Sequence, residues 1–594
     1  MFVLSCRSKS DPNTAGGRCI AYAGFITAEL RNRCTPRGTS VTDSKKPSTR
    51  SLPMISPSLT PCTKPDAVLP DKAKDECGII GIYNLDRNSD RSVTPMIPSA
   101  LLDLQHRGQL GAGVTSFDPN RTHLLMTHKD SGSVREVFRL THAAKAQSVV
   151  NEYAGIAAIG HVRYATSGRD KAEYAQPFER EHARTWKWFS LGFNGNLANY
   201  AHLRDHLTKV RGYHMVHNVD TEILTHHIAY ALRGETKPPL VNVFRELTQD
   251  LDGAYNIMFL NADGDLVAAR DPLGIRPLCY GTRDDGVFAI SSESVALKNM
   301  GIENVIDVEP GQMVWVDYPT RTVHVERFTE QRAHHHCFFE WVYFAHVSSV
   351  MDGRTVYDAR WKLGANLARD EYVEMDEDCV VVAVPDTAKP IGDAFAYSLG
   401  LPSLEGIVRN RYVGRTFIEG EDRAQKVRRK YTLLPSVMKG KRVFLVEDSL
   451  VRSTTLRGLV ERTRREGMAR EVHIRIGSPP VIAPCFYGID MSTLGELFAP
   501  SYLTKGYTRE DLDRVSIEMA ERLGADSLRY LPVQDIAPSI GMQHEHLCTA
   551  CVTASYPSPA GERIYQHECA RACDGRVGRA YDSEILDDEG NPAE

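Results

Sequence analysis

The residue best suited to chemistry is Cys77, in the run Asp75-Glu76-Cys77-Gly78-Ile79-Ile80-Gly81. Its thiol opens an apolar strand behind two acids. Removing everything upstream would leave an α-amine on the residue that carries the thiol. Such an amine titrates at about 7.7–8.0, so much of it is neutral near pH 7 and able to take the thiol proton. Polar clusters follow at positions that read as strand ends: Gln105-His106-Arg107-Gly108-Gln109, Gly160-His161-Val162-Arg163-Tyr164-Ala165-Thr166, Phe193-Asn194-Gly195-Asn196 and Asp220. Arg163 can grip an α-carboxylate through paired bonds. Asp220 can hold an α-ammonium, and the Asn194 side chain with the Gly195 amide can stabilise an oxyanion. Taken singly, Arg163 reads as a surface ion pair and Asn194-Gly195 as a tight turn. With Cys77 they suggest a site for an amino acid.

A second constellation is Glu447-Asp448-Ser449-Leu450-Val451-Arg452-Ser453-Thr454-Thr455, directly after the apolar run Val443–Val446. Adjacent acids can hold ribose hydroxyls and the magnesium of a diphosphate. The segment from Ser449 to Thr455 lies where a helix begins, and its amides and hydroxyls can cradle a phosphate. The plain alternative is an acidic turn with a helix cap. Cysteines form a third set. Cys548 and Cys551 make a Cys-x-x-Cys pair, with Cys569 and Cys573 following, and that spacing permits zinc. Cys279 and Cys379 lie in strand-like runs and read as core. His334-His335-His336 could bind a metal but reads as a solvated loop.

The elements that position these groups come from the hydrophobic pattern. After Cys77, short apolar runs separated by turn signals predict strands at Gly78–Tyr83, Leu124–Thr127, Ile156–Val162, Tyr255–Leu260, Asp265–Ala269, Val287–Ile290 and Met313–Val316. Helical spacing appears near Met96–Leu104, Tyr200–Thr208 and Thr221–Leu232, so an α+β layered domain is expected over 77–325. From 335 to 535 the order is strand, polar turn, helix, strand. Cys379–Val384 and Val443–Val446 are strands, His473–Ile476 is another, and a parallel doubly wound sheet follows. Ligands of such sheets lie at the carboxyl ends of the strands, which puts the turn after Val446 in position.

Residues 536–594 form a C-terminal segment with cysteines and a tail. Residues 1–76 are rich in Ser, Thr, Pro, Lys and Arg and poor in acids before Asp66. They read as a disposable leader: a disordered propeptide, a transit peptide, or the product of a start codon placed too early. The net charge of −5 over 594 residues gives no sign of a nucleic-acid partner. No apolar run nears the ~20 residues that cross a bilayer, so no membrane partner is expected. Thirteen scattered cysteines suggest metal or catalysis in a reducing compartment. The cytoplasm is the expected location, with a plastid as the alternative.

As sets these motifs resemble known families. Cys77-Gly78-Ile79-Ile80-Gly81, Gln105–Gln109, Gly160–Thr166, Phe193–Leu197 and Arg270-Asp271-Pro272-Leu273-Gly274-Ile275-Arg276 resemble class II glutamine amidotransferases, N-terminal nucleophile hydrolases with an αββα sandwich. The Glu447–Thr455 run resembles the phosphoribosyl-diphosphate motif of type I phosphoribosyltransferases. The pair resembles the iron–sulfur type of the amidophosphoribosyltransferase family, from Cys77 to about Pro557. That resemblance implies a glutamine site at Arg163, Thr166, Asn194, Gly195 and Asp220. It implies a phosphoribosyl-diphosphate site at Glu447, Asp448, Ser449, Arg452, Ser453 and Thr454, with Mg2+ at Thr387, Glu447 and Asp448. It also implies a [4Fe–4S] cluster on Cys337, Cys485, Cys548 and Cys551, ammonia passed between the sites, purine nucleotide inhibitors, a homotetramer and a closing segment near Arg415–Lys430. The chain departs from the family where Glu447 replaces an Asp, Ser453 a Gly, His346-Val347 an Arg-Pro, and Leu110 a common acid. Two other readings share parts of this evidence. Another glutamine-dependent synthase, such as a hexosamine-forming enzyme, lacks a reason for the phosphoribosyl motif. A phosphoribosyl-diphosphate-binding regulator lacks a reason for the processed cysteine, and no DNA-binding helix pair is evident.

Overall fold

Alternate residues of the first strand, β1 (Gly78–Asn84), face different layers. Ile80 and Ile82 pack with Ile97, Leu101 and Val114. Ile79 and Tyr83 pack with Ile159, Met258, Leu260 and Val314. All seven residues are buried, which a strand covered on both faces requires. Gly81 faces the second sheet, and a Cβ there would lie 2.8 Å from Met258 Sδ.

The computed structural model describes residues 77–164, 171–330, 334–410, 430–491 and 493–573. Thr166, the leader, most of the expected closing segment and the tail beyond 573 lie outside the described residues. The first half continues with β2 (Gly111–Phe117), β3 (Leu125–Ser131), β4 (Ala157–Arg163), β5 (Phe178–Arg180), β6 (Phe189–Leu197), β7 (Gly253–Asn261), β8 (Leu266–Arg270), β9 (Cys279–Thr282), β10 (Val287–Ser291), β11 (Ile306–Asp307), β12 (Gln312–Val316) and β13 (Val323–Arg327). One sheet has the order β11-β9-β10-β1-β4-β2-β3 and the other β13-β12-β8-β7-β6-β5. The helix Ile97–Asp103 covers the first sheet. Helices Asp220–Ala231 and Leu240–Asp250 cover the second, through Ile223, Leu224, Val243 and Phe244 against Phe193, Ile257 and Phe259. Helix, sheet, sheet and helix are the four layers of an αββα sandwich, and each expected strand and helix is present within a few residues.

The second half carries β14 (His336–Cys337), β15 (Val350–Met351), β16 (Arg354–Thr355), β17 (Cys379–Ala383), β18 (Ile407–Arg409), β19 (Tyr431–Leu433), β20 (Arg442–Glu447), β21 (Glu471–Ile476), β22 (Ser527–Tyr530) and β23 (Leu547–Cys548). Strands β17, β20, β21 and β22 form a parallel sheet in that order. Val380, Val382, Val443, Leu445 and Ile474 face one side, with Leu456 and Leu459. Val381, Phe444 and Val446 face the other, with Ile391 and Phe395. Burial on both sides explains why these strands read as continuous apolar runs rather than alternating ones. Among the described residues no helix is long and apolar enough to cross a membrane.

Candidate active site

Cys77 stands at the mouth of β1, antiparallel to β4, whose last residue is Arg163. The Cys77 Sγ lies 3.6 Å from the Tyr164 carbonyl. Burial pushes the thiol up to about 11, with Arg163 and Arg107 pulling it down and Asp220 pushing it up. The thiol, Arg163 and Asp220 therefore lie close enough to act on one another. Arg163 is buried, not a surface ion pair, and its guanidinium sits 5.5 Å from the Tyr174 ring.

Asn194 and Gly195 lie inside β6, not in a tight turn. Gly195 has φ +153° and a Cβ there would meet the Ala254 carbonyl at 1.9 Å, so only glycine fits. The Asn194 amide nitrogen donates to Ser292 Oγ at 3.2 Å, while its Oδ1 is buried without a partner. Ser292 Oγ also accepts from the Ile79 amide at 3.1 Å, tying the oxyanion candidate to the nucleophile strand. Asp220 opens a helix rather than ending a strand, and the Gln105–Gln109 cluster follows the helix Ile97–Asp103 rather than a strand. The loop before Asp220 is gathered by Glu222, which accepts from the amides of Val216, His217 and Asn218 at 2.6, 2.8 and 2.9 Å. Gln176 accepts from the Phe193 amide at 2.7 Å and donates to Thr221 at 3.1 Å, holding that helix against β6. Sequence reasoning missed Gln176, Glu222 and Ser292, which have neither motif nor spacing to betray them.

The second constellation gathers at the carboxyl ends of β17 and β20. Glu447 and Asp448 are buried. Asp448 accepts from Thr387 Oγ1 and, at 2.6 Å, from Ser449 Oγ. Ser453 begins the helix Ser453–Arg465, so Ser453, Thr454 and Thr455 present its first amides. The peptide Pro385-Asp386 beside them is cis. Arg452 departs from the expectation of a phosphate ligand. Its guanidinium is committed to the Glu496 carboxylate and, at 3.1 Å, to the Asp490 carbonyl, so it holds the neighbouring turn.

Between the two sites runs a buried charge network that no motif announced. Arg107 makes a two-pronged pair with Glu340 at 2.6 and 2.9 Å and reaches Glu293 at 2.9 Å. Against the effect of burial, His106 and Arg107 hold the Glu293 carboxyl well below its usual range. Glu293 also accepts from the His346 amide at 2.8 Å and Ser349 Oγ at 2.7 Å. Arg276 pairs with Glu340 at 3.5 Å and donates to the Tyr487 carbonyl. Asn196, on β6, donates to the Phe486 carbonyl at 2.9 Å. Two successive carbonyls after Cys485 are thus held by the first half of the chain.

Cys337, Cys485, Cys548 and Cys551 line one cavity with Ile275, Arg276, Tyr487, Ile489, Ala550 and Tyr556. Strands β14 and β23 pair in parallel and set Cys337 opposite Cys548. All four are free thiols. Burial pushes Cys548 up to about 12 and Cys337 and Cys551 well above the ordinary thiol range. Among the described residues no three of these sulfurs lie within 4.8 Å of one another. Zn–S bonds of about 2.3 Å would hold them within about 4.6 Å. Cys569 lies on the helix Pro559–Cys573 and does not line this cavity. Cys279 and Cys379 are core residues, as expected. The solvated-loop reading of the histidine run is corrected at His336; His334 and His335 are half-exposed and lie outside any strand or helix. His336 is buried in β14, with Nδ1 bonded to the Gly274 carbonyl at 2.8 Å, because Cys337 must enter the core one residue later. His123, Glu179 and Glu181 form a separate cluster able to hold a cation.

A model of the glutamine amidotransferase domain matches residues 144–328. An amidophosphoribosyltransferase of Methanothermobacter thermautotrophicus is 36% identical over 509 residues, covering 84% of this chain and 98% of that protein. A chloroplastic amidophosphoribosyltransferase of Glycine max is 35% identical, covering 82% of this chain and 79% of that protein. The solved structure of glutamine phosphoribosylpyrophosphate amidotransferase from B. subtilis, complexed with ADP and GMP, superposes with a TM-score of 0.69 at 34% identity. It covers 82% of this chain and 98% of that one.

Proposed function

The chain belongs to the amidophosphoribosyltransferase family, and on that premise we propose how its own residues carry the reaction. The enzyme makes 5-phosphoribosylamine, glutamate and pyrophosphate from glutamine and phosphoribosyl diphosphate, the first step of purine biosynthesis. The observation that carries the residue assignment is Cys77, placed with Arg163 and Asp220 around its thiol.

In the first half, Arg163 binds the glutamine α-carboxylate and Asp220 the α-ammonium, and Thr166 is assigned to the same ligand. The α-amine of Cys77, freed by removal of residues 1–76, takes the thiol proton. The thiolate attacks the side-chain amide carbon, and the Asn194 amide and the Gly195 N–H receive the developing oxyanion. The amine returns the proton to the leaving nitrogen, which departs as ammonia. Water then cleaves the thioester and releases glutamate. In the second half, Glu447 and Asp448 hold the ribose hydroxyls, and the amides and hydroxyls of Ser449, Ser453 and Thr454 hold the 5-phosphate. Arg452 contributes by fixing this loop through Glu496. Ammonia attacks C1 as pyrophosphate leaves.

The oxygen donors of Thr387, Glu447 and Asp448 suit Mg2+, which when bound would neutralise the diphosphate. The four wide-set thiols suit a [4Fe–4S] cluster, which when bound would take the place of their protons and join β14, β23 and the Cys485 turn. Purine nucleotides as inhibitors follow from the relative complexed with ADP and GMP, and a homotetramer from the family. The assigned extents are a leader at 1–76, an amidotransferase domain at 77–325, a phosphoribosyltransferase domain at 335–535 and a C-terminal segment at 536–594. The cytoplasm is the assigned compartment, and a plastid is the alternative that the soybean relative's name favours. Cys77→Ala tests the assignment: pyrophosphate release should vanish with glutamine and persist with ammonium chloride. Loss with both donors would refute two separable sites.

A further inference from the structure

The histidine run before Cys337 is left over from this chemistry. His334 Nδ1 lies 3.3 Å from His336 Nε2. His336 is buried, and its Nδ1 faces the Gly274 carbonyl at 2.8 Å and Asp352 Oδ2 at 3.2 Å. Arg270, which also approaches that nitrogen at 3.1 Å, has the same two acceptors for its own hydrogens. The proton of His336 therefore sits on Nδ1, and the Nε2 lone pair points at His334. An imidazole oriented by a bond from its other nitrogen to a carbonyl is the arrangement that metal ligands adopt. Two nitrogens each bonded at about 2.0–2.1 Å to one tetrahedral ion stand about 3.3 Å apart. A third histidine is at hand: the His546 ring lies 5.2 Å from the His334 ring. His546 is half-exposed, so its side chain can turn inward.

We propose that His334, His336 and His546 form a binding site for a divalent first-row transition ion, outside the four-cysteine cavity. Neutral imidazoles suit zinc, nickel, copper and ferrous iron. The geometry also gives the ion a task. His336 lies on β14 and His546 directly precedes β23, and these two-residue strands carry Cys337 and Cys548. An ion shared by the histidines staples the pair from outside. The site does not depend on what occupies the cysteines.

The test uses the full-length, anaerobically purified enzyme with its cysteine site loaded. It is dialysed against micromolar Zn2+, and zinc and iron are counted per chain by mass spectrometry. The comparison is the double variant His334→Gln/His546→Gln, which leaves the buried His336 in place. Wild type should hold one zinc more than the double variant at equal iron, and each single variant should bind at least tenfold more weakly. Zinc on the cysteines, or on His123, Glu179 and Glu181, survives these substitutions and drops out of the difference. Equal zinc in wild type and double variant overturns the proposal.

Discussion

Glu222 touches no substrate in the proposed mechanism, yet its loss should be felt at the glutamine site. Its carboxylate accepts three consecutive backbone amides, from Val216, His217 and Asn218, and Asp220 comes two residues later. Burial works against the charge, but His226 and those amides hold the carboxyl down at about 2. Glu222→Gln keeps the shape but sets an NH2 against at least one of the amide donors. One charge-assisted bond is lost and one partly buried amide is left bare, about 2–4 kcal/mol together. Only part of this reaches Asp220, so the glutamine KM should rise roughly tenfold to hundredfold. Activity with ammonium chloride should not change. The pKa is depressed in the folded state. Its contribution is therefore complete above the unfolded value near 4.5 and fades as pH falls towards about 2. Between pH 6 and 8 the defect should be constant. An unchanged glutamine KM, or an equal loss with ammonia, refutes the reasoning.

Other perturbations separate the remaining parts. Asp448→Asn removes a charge bonded to Thr387 and Ser449. It should raise the Mg2+ concentration for half-maximal pyrophosphate release at least tenfold while glutamine hydrolysis survives. Glu340→Gln leaves Arg107 with Glu293 as its carboxylate partner and removes the charge that faces buried Arg276. The cost of about 3–5 kcal/mol should appear as a lower melting temperature and a joint fall of both activities. Burial raises the Glu568 carboxyl from 4.5 to about 7, so its stabilising contribution is complete below 4.5 and lost as pH rises through 7. Glu568→Gln should therefore melt higher than wild type at pH 8.5, by up to about 3 kcal/mol of stability, with little difference at pH 5.

The sandwich and the parallel sheet were readable because their signals are local. Ile79, Ile80, Ile82 and Tyr83 are consecutive or nearly so, and they announce a strand whichever layer each one enters. Val380 to Val382 announce a strand buried on both sides in the same way. Motif residues were also readable, because Cys77, Arg163, Asn194 and Asp448 sit at short fixed offsets from glycines and strand ends. What escaped was side-chain direction and pairing across long separations. Arg107 finds Glu293 across the length of the first half and Glu340 in the second. Arg452 stands inside a phosphate motif but turns to Glu496. Nothing in a nine-residue window separates a guanidinium facing a ligand from one holding a turn. His336 misled for a related reason: polarity suggests solvent, whereas the chain was already committed to burying Cys337.

On the proposed mechanism, leader removal is a chemical step for Cys77 and not merely the clearing of a path. A thiol held at about 11 is ionised in roughly one molecule in ten thousand at pH 7. Nearby basic groups do not mend this. His161 is pushed down to about 3 by burial and is bonded through Nε2 to the Phe193 carbonyl. Arg163 and Arg107 are cations and cannot accept a proton. While residue 76 is attached, the Cys77 nitrogen is an amide and cannot accept one either. Cleavage converts that nitrogen into an amine of the right basicity on the same residue, with no side chain having to move. Mature enzyme should therefore begin at Cys77. If a full-rate glutaminase retained Glu76 on that nitrogen, another base would have to exist and this account of the pocket would fail.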